Sequence, residues 1–198
     1  MSLLNRAGVR LYLVQRGGGR DAAMPELALG YTVEKSDPER LRPWAETTPG
    51  LSHEFLDAAS ARGDRCVANF FRGELVGYGF VASAWAPVTR QLRVEIDQAL
   101  FYRYKGWTHP EHRRQYLSHA RGRLNSALFP DSDPSRMVSY VDTHNYASKL
   151  HHAEIHPVHL GYAGYVTLFG RQIPFTTPGC RARGFQLSRI EAAQPQGA

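Results

Sequence analysis

At 198 residues, with 42% hydrophobic and 21% charged residues, the chain has an ordinary globular composition, which excludes a disordered or fibrous protein and suits one well-buried domain rather than two. Lys and Arg outnumber Asp and Glu by 24 to 18, a formal charge of +6 that suits phosphorylated or acidic ligands, yet no basic run has the form of a nucleic-acid-binding arm. Cys66 and Cys180 form no metal-type pair and no apolar run reaches the roughly 18 to 20 residues of a membrane span, so a cytoplasmic protein with reduced thiols and neither membrane nor nucleic-acid partner is expected.

Gly8 to Gln15 sets Val9, Leu11 and Leu13 against Arg10 and Tyr12, which predicts a strand turning at Gly17 to Gly19; residues 1–25 are read as that strand and a loop. Leu27 to Glu34 is a second predicted strand. Ser36-Asp37-Pro38-Glu39 then supplies helix caps and a proline suited to a first helical turn, and a further helix is predicted over Ser52 to Ala61, ended by Gly63. Arg65 to Phe71 and Glu74 to Trp85, joined by Arg72-Gly73, make the clearest hairpin. Leu92 to Ile96 alternates and is placed beside the strand that begins near Leu100.

From Leu100 to Phe129 an aromatic strand passes through Thr108-His109-Pro110-Glu111 into a basic periodic segment. Pro110 forbids further strand and fits a first helical turn, Glu111 suits the positive end of the helix dipole, and Tyr116, Leu117, Ala120, Leu124 and Leu128 recur on one face. A helix entered from a strand end presents unpaired backbone N–H groups, and Arg113 and Arg114 add full charges. The segment reads either as a pyrophosphate cradle or as a half-buried helix with arginines on its wet side. Beyond it, Phe129 to Ser135 is a loop, Met137 to Val141 a buried strand, Leu160 to Gln172 a strand turning at Gly170, and Ala182 to Leu187 a last short strand before a loose tail at 189–198.

The order of these segments resembles the GNAT acetyltransferase superfamily over most of the chain. The likeness rests on THPEHR (Thr108 to Arg113), on Gly-Glu-Leu-Val-Gly-Tyr from Gly73, and on Asn145-x-x-Ser148 after the Met137 to Val141 strand. It implies an α/β (α+β) domain over residues 1–198, with a mixed, mostly antiparallel central sheet flanked by helices. It also implies an N-acyltransferase moving an acetyl or other short acyl group from acyl-coenzyme A to a primary amine. By the same likeness Trp107, Thr108, His109, Arg113, Arg114, Gln115, Tyr116, Leu117 and Ser118 bind acetyl-CoA, with Asn145 and Ser148 beside the pantetheine arm. Arg114, Tyr116 and Ser118 stand where the family carries small residues, mostly glycine, and Lys149 to Tyr165 lacks the usual Gly-Phe, with His152 about where a tyrosine would fall.

Acyl transfer needs a polarised thioester carbonyl, a deprotonated amine and a proton returned to the thiolate. Glu95 and Asp97 are the candidate bases, Tyr146 and His152 the candidate acids. His144, His151, His152, His156 and His159 lie close in sequence, but they form no HExxH pattern and Pro157 ends any shared helix, so no metal site is expected. Two other classes remain beside the enzyme: a non-catalytic binding module of the same fold, marked by Arg114 and Tyr116, and a histidine-ligated metal hydrolase. A homodimer built on a C-terminal strand is a further expectation.

Overall fold

The structure, a computed structural model, describes residues 8–17, 26–125, 128, 133–146 and 157–190. In chain order the alternating segments become β1 (Val9–Arg16) and β2 (Tyr31–Ser36), followed by a 3-10 turn over Pro38–Trp44 and helix α1 (His53–Ala61). Then come β3 (Arg65–Phe71), β4 (Glu74–Ala82), β5 (Trp85–Pro87), β6 (Leu92–Ile96) and β7 (Phe101–Thr108). After a 3-10 turn at Pro110–His112 come α2 (Leu117–Asn125), β8 (Met137–Asp142), β9 (Val158–Leu168), β10 (Arg171–Thr176), α3 (Pro178–Arg181) and β11 (Phe185–Arg189). Among the described residues no helix is long and apolar enough to cross a membrane.

Eight strands form one sheet in the order β10-β9-β1-β8-β7-β4-β3-β2, and β11-β6-β5 form a smaller one. Every ladder in the large sheet is antiparallel except β7 with β8. Local chemistry explains the best-defined pieces. Ser52 caps α1 by accepting a 3.1 Å hydrogen bond from the Phe55 N–H, an interaction that typically stabilises by about 1 kcal/mol, and Gly63, at φ 72°, ends the helix region. The β3–β4 hairpin turns at Arg72-Gly73, both with positive φ, as a two-residue hairpin turn requires. One face of the sheet packs Phe80, Tyr102 and Tyr104 against α1 and the small sheet through Leu56, Phe55, Leu92 and Phe185; the other carries α2.

Four expectations change. Strand β6 pairs with β5 and β11 rather than with the strand beginning near Leu100. Its buried Leu92 and Val94 complete a core with Ala86, Phe185 and Leu187, and a turn closed by Leu100 N–H to the Asp97 carbonyl at 2.8 Å carries the chain to the large sheet. Strand β4 stops at Ala82, and Trp85 opens β5. The second strand starts at Tyr31, because Gly30 turns the chain at φ 92° and leaves Leu29 fully exposed. Pro110 opens only a 3-10 turn: Arg114 and Tyr116 take left-handed φ values of 64° and 54°, which break a helix, so α2 begins at Leu117. Leu117 and Ala120 are buried on α2 as expected, but Tyr116 is 61% exposed and Arg121 and Asn125 take the inward positions.

Candidate functional site

Strands β7 and β8 pair at only two positions, Phe101 with Met137 and Tyr102 with Val138. From Arg103 and Ser139 onward they part. The wedge between them opens a cavity of about 580 Å³, lined along β7 from Tyr102 to Thr108, along β8 by Ser139 and Tyr140, and along α2 by Ser118, Arg121, Gly122 and Asn125. Arg113 and Asn145 stand on the same lining.

The β7 wall is irregular. Tyr104 pairs with Phe80 and Trp107 with Tyr78, so β7 spends one more residue than β4 over this stretch, and Lys105 takes φ 49°. A bulge leaves the extra residue out of the ladder and turns backbone groups toward the open side. At the head of α2, Arg113 is extended, Arg114 and Tyr116 are left-handed, and the Arg113 Nε–H donates to the Thr108 carbonyl at 3.4 Å. These left-handed residues interrupt the helical hydrogen-bond pattern ahead of Leu117, at the end of α2 where backbone N–H groups and the positive end of the helix dipole lie.

Two guanidinium groups lie under α2. Arg121, only 6% exposed, lies beneath Gly77, where a Cβ would stand 2.5 Å from its Nη1, and within van der Waals reach of Gly79; it donates to Asn69 Oδ1 and, at 2.9 Å, to Thr108 Oγ1. No carboxylate pairs with it among the described residues; burial and then the neighbouring Arg103 charge bring its pKa down to about 10. Arg103 has no hydrogen bond or ion pair among the described residues, and burial lowers its pKa as well. Within the same interface Asn125 Oδ1 and Asn69 Nδ2 are buried without partners. Uncompensated cations and orphaned amides in a cleft are costly to folding, which fits a site whose partner is a ligand.

The opposite face of the wedge is phenolic. Burial, then the neighbouring Tyr140, holds Tyr102 well above the usual tyrosine range, and burial raises Tyr140 too. Tyr104 donates to Asp64 Oδ2 at 2.6 Å, and Arg62 Nη2 reaches that oxygen at 2.7 Å and the Tyr104 hydroxyl at 3.1 Å. Burial raises the Asp64 carboxyl even though Tyr104 and Arg62 pull it down.

Of the residues expected at the site, Trp107, Thr108, Arg113, Ser118 and Asn145 line the cavity. His109 caps the 3-10 turn, its Nδ1 accepting from the Glu111 N–H at 3.3 Å, and Leu117 is buried under α2. Glu95 sits on β6, in the small sheet, in an ion pair with Arg93 at 2.5 Å; Tyr146 is 70% exposed; neither is on the lining. Ser148 and His152, with His151 and His156, fall outside the described residues, among which no three metal-ligating side chains converge. Sequence reasoning passed over Arg103, Arg121, Tyr102, Tyr140 and Asn125. Only the i, i+4 spacing of Leu117, Arg121 and Asn125 signals that the last two share an inward face.

No family model matches the chain, and no curated protein matches its sequence. Solved structures do. A Drosophila protein superposes with a TM-score of 0.53 at 14% identity, over 84% of this chain and 55% of its own. A tandem GNAT protein from the clavulanic acid biosynthesis pathway superposes with a TM-score of 0.53 at 13% identity, over 94% of this chain and 55% of its own. This chain thus spans about half the length of each. At such identity the likeness is one of fold: a mixed, mostly antiparallel sheet with a few helices, of the GNAT type.

Proposed function

We propose that this chain, whose fold is that of the GNAT acetyltransferases, is an acyl-CoA-dependent N-acyltransferase that acylates an amine. The observation that carries the reading is the wedge between β7 and β8, a cavity lined by both strands, by Arg113 and by Ser118 at the head of α2. The chain's own groups fit such a ligand. Backbone N–H groups around Arg114 to Ser118, with the Arg113 guanidinium, suit a pyrophosphate. Asn125 Oδ1, a buried acceptor without a donor, suits an amide N–H of a pantetheine arm.

The bound thioester would supply an activated acyl group. Backbone N–H groups left out of the ladder by the β7 bulge near Lys105 and Gly106 would serve as donors to its carbonyl oxygen. Tyr140, kept protonated by burial and lining the wedge, is the group on that lining best placed to return a proton to the leaving sulfur. A wedge that held the thioester and the amine side by side would supply much of the rate through orientation.

Isothermal titration with acetyl-CoA tests the reading. Heat is expected from the native protein and none from Ser118→Arg, whose side chain would fill the lining at the head of α2. No heat from acetyl-CoA, or from butyryl- or succinyl-CoA, at millimolar ligand would refute it. The non-catalytic alternative is favoured by one feature, the exposed Tyr116 ring at the head of α2, and is distinguished by binding without acyl transfer to any amine in a screen.

A further inference from the structure

We infer that the acyl group this site accepts carries a terminal carboxylate, as in a succinyl or related dicarboxylic monothioester, and that Arg103 is its counter-ion; the inference rests on the acyl-CoA reading above.

Strand alternation fixes where Arg103 points. Phe101 belongs to the α2 side of the sheet, packed with Val81, Met137 and Leu128, whereas Tyr102 and Tyr104 face Phe55, Tyr140 and Phe185 on the other. Arg103 therefore shares the α2 side with Phe101, and a Cβ added at Gly122 of α2 would stand 3.4 Å from its Nη1. This is the first β7 residue beyond the paired stretch, at the closed end of the wedge, on the lining that Ser139, Gly122 and Asn125 share.

A ligand whose phosphates lie at the mouth cannot satisfy this group with the same phosphates. Arg113 is anchored to Thr108, and Thr108 lies opposite Gly77 where Arg103 lies opposite Val81, four residues of β4 apart, roughly 13 Å by strand rise. Two cationic positions, one at the mouth and one at the blind end, call for a ligand with anionic groups at both ends. Arg103 also has no hydrogen bond or ion pair among the described residues, while Arg121 behind it adds like charge and is itself committed to Asn69 and Thr108. Retaining an uncompensated guanidinium in a site meant for an uncharged methyl would penalise binding; a carboxylate there makes a charge-assisted, bidentate pair. α2 closes this side, so the position is reached from within the wedge, which places the carboxylate on the donor and not on the amine.

The reaction balances without a further reactant. The amine nitrogen bonds to the thioester carbonyl carbon, the C–S bond breaks with its electron pair on sulfur, one amine proton ends on that sulfur, and the distal carboxylate leaves unchanged on the amide product.

The test is isothermal titration of the full chain with succinyl-CoA, butyryl-CoA and acetyl-CoA; succinyl and butyryl have the same four-carbon length and differ in the terminal charge. Succinyl-CoA is expected to bind at least tenfold more tightly than butyryl-CoA, with the ratio collapsing toward one in Arg103→Met and partly restored in Arg103→Lys. The native-protein ratio decides the matter even where a variant does not fold. Equal or tighter binding of butyryl-CoA would overturn the carboxylate inference and leave the acyl-CoA reading standing. A preference that survives in Arg103→Met would overturn the role of Arg103. Heat from none of the three thioesters would overturn the acyl-CoA reading and this inference with it.

Discussion

Replacing Tyr116 with glycine should leave the protein at least as stable as it is. Tyr116 holds φ 54° in the turn that leads into α2, a conformation that costs an L-residue about 1–2 kcal/mol. Glycine removes that strain and gives back about 0.5–1 kcal/mol through its larger unfolded-state freedom. Little packing is lost, because the side chain is 61% exposed and its ring contact is the edge of His119 at 5.7 Å. The balance lies between zero and about 1 kcal/mol in favour of glycine, a rise in Tm of up to roughly 4 °C for a chain this size. Gln115, between the two left-handed residues and without a positive φ, is the control: Gln115→Gly should lose about 0.5–1 kcal/mol. Thermal denaturation followed by circular dichroism measures both variants. Acetyl-CoA should also bind Tyr116→Gly more tightly, since neither Cβ nor ring then stands at the head of α2. If Tyr116→Gly loses as much stability as Gln115→Gly, the strain argument is wrong.

Gly164→Ala should lower stability by about 3 kcal/mol in chemical denaturation, because a Cβ there would overlap the Arg10 carbonyl across the β1–β9 ladder and lie 2.8 Å from the Phe175 ring. Tyr104→Phe should cost about 1–3 kcal/mol by leaving the buried Asp64 carboxylate one donor short; a loss under 0.5 kcal/mol would show that Arg62 alone satisfies it. Burial lifts the Tyr78 phenol from 10.0 to about 12. As an acid with a raised native pKa, it contributes stability that is complete below pH 10 and lost as pH rises to 12, about 3 kcal/mol in all. Tyr78→Phe should therefore unfold less steeply over that interval, as tyrosinate absorbance and circular dichroism together would report.

Features with a local cause were legible in the sequence. The β3–β4 hairpin announced itself through Arg72-Gly73 between two apolar runs, and α1 through its Ser52 cap and Gly63 stop. The β7 strand and the THPEHR turn gave the outer half of the candidate site, since Trp107, Thr108, Arg113 and Ser118 all reach the cavity. The inner half had no such signal. Arg121 and Asn125 are polar, and the helical pattern set Leu124 on the buried face in their place; Gly77 makes room for the Arg121 guanidinium, a relation between segments distant in sequence. The partner of β6 was misread for a related reason: β11 lies about ninety residues away, and nearness along the chain favoured β7. Left-handed Arg114 and Tyr116 are likewise invisible to propensity, which assigns neither residue to that region.

Strand β1 lies in the middle of the large sheet, antiparallel to β8 on one side and β9 on the other. Its ladder partners are more than a hundred residues away, Tyr12 opposite Asp142 and Leu11 opposite Gly164. During synthesis β1 must therefore stay unpaired until β8 and β9, over a hundred residues on, have emerged, and its docking is a high-contact-order event. Until that docking, β8 is held only by its two-position pairing with β7, and the wedge has one firm wall and one loose one. Completion of the candidate cleft is in this way tied to the docking of β1, so that a chain without that docking cannot present a finished cleft.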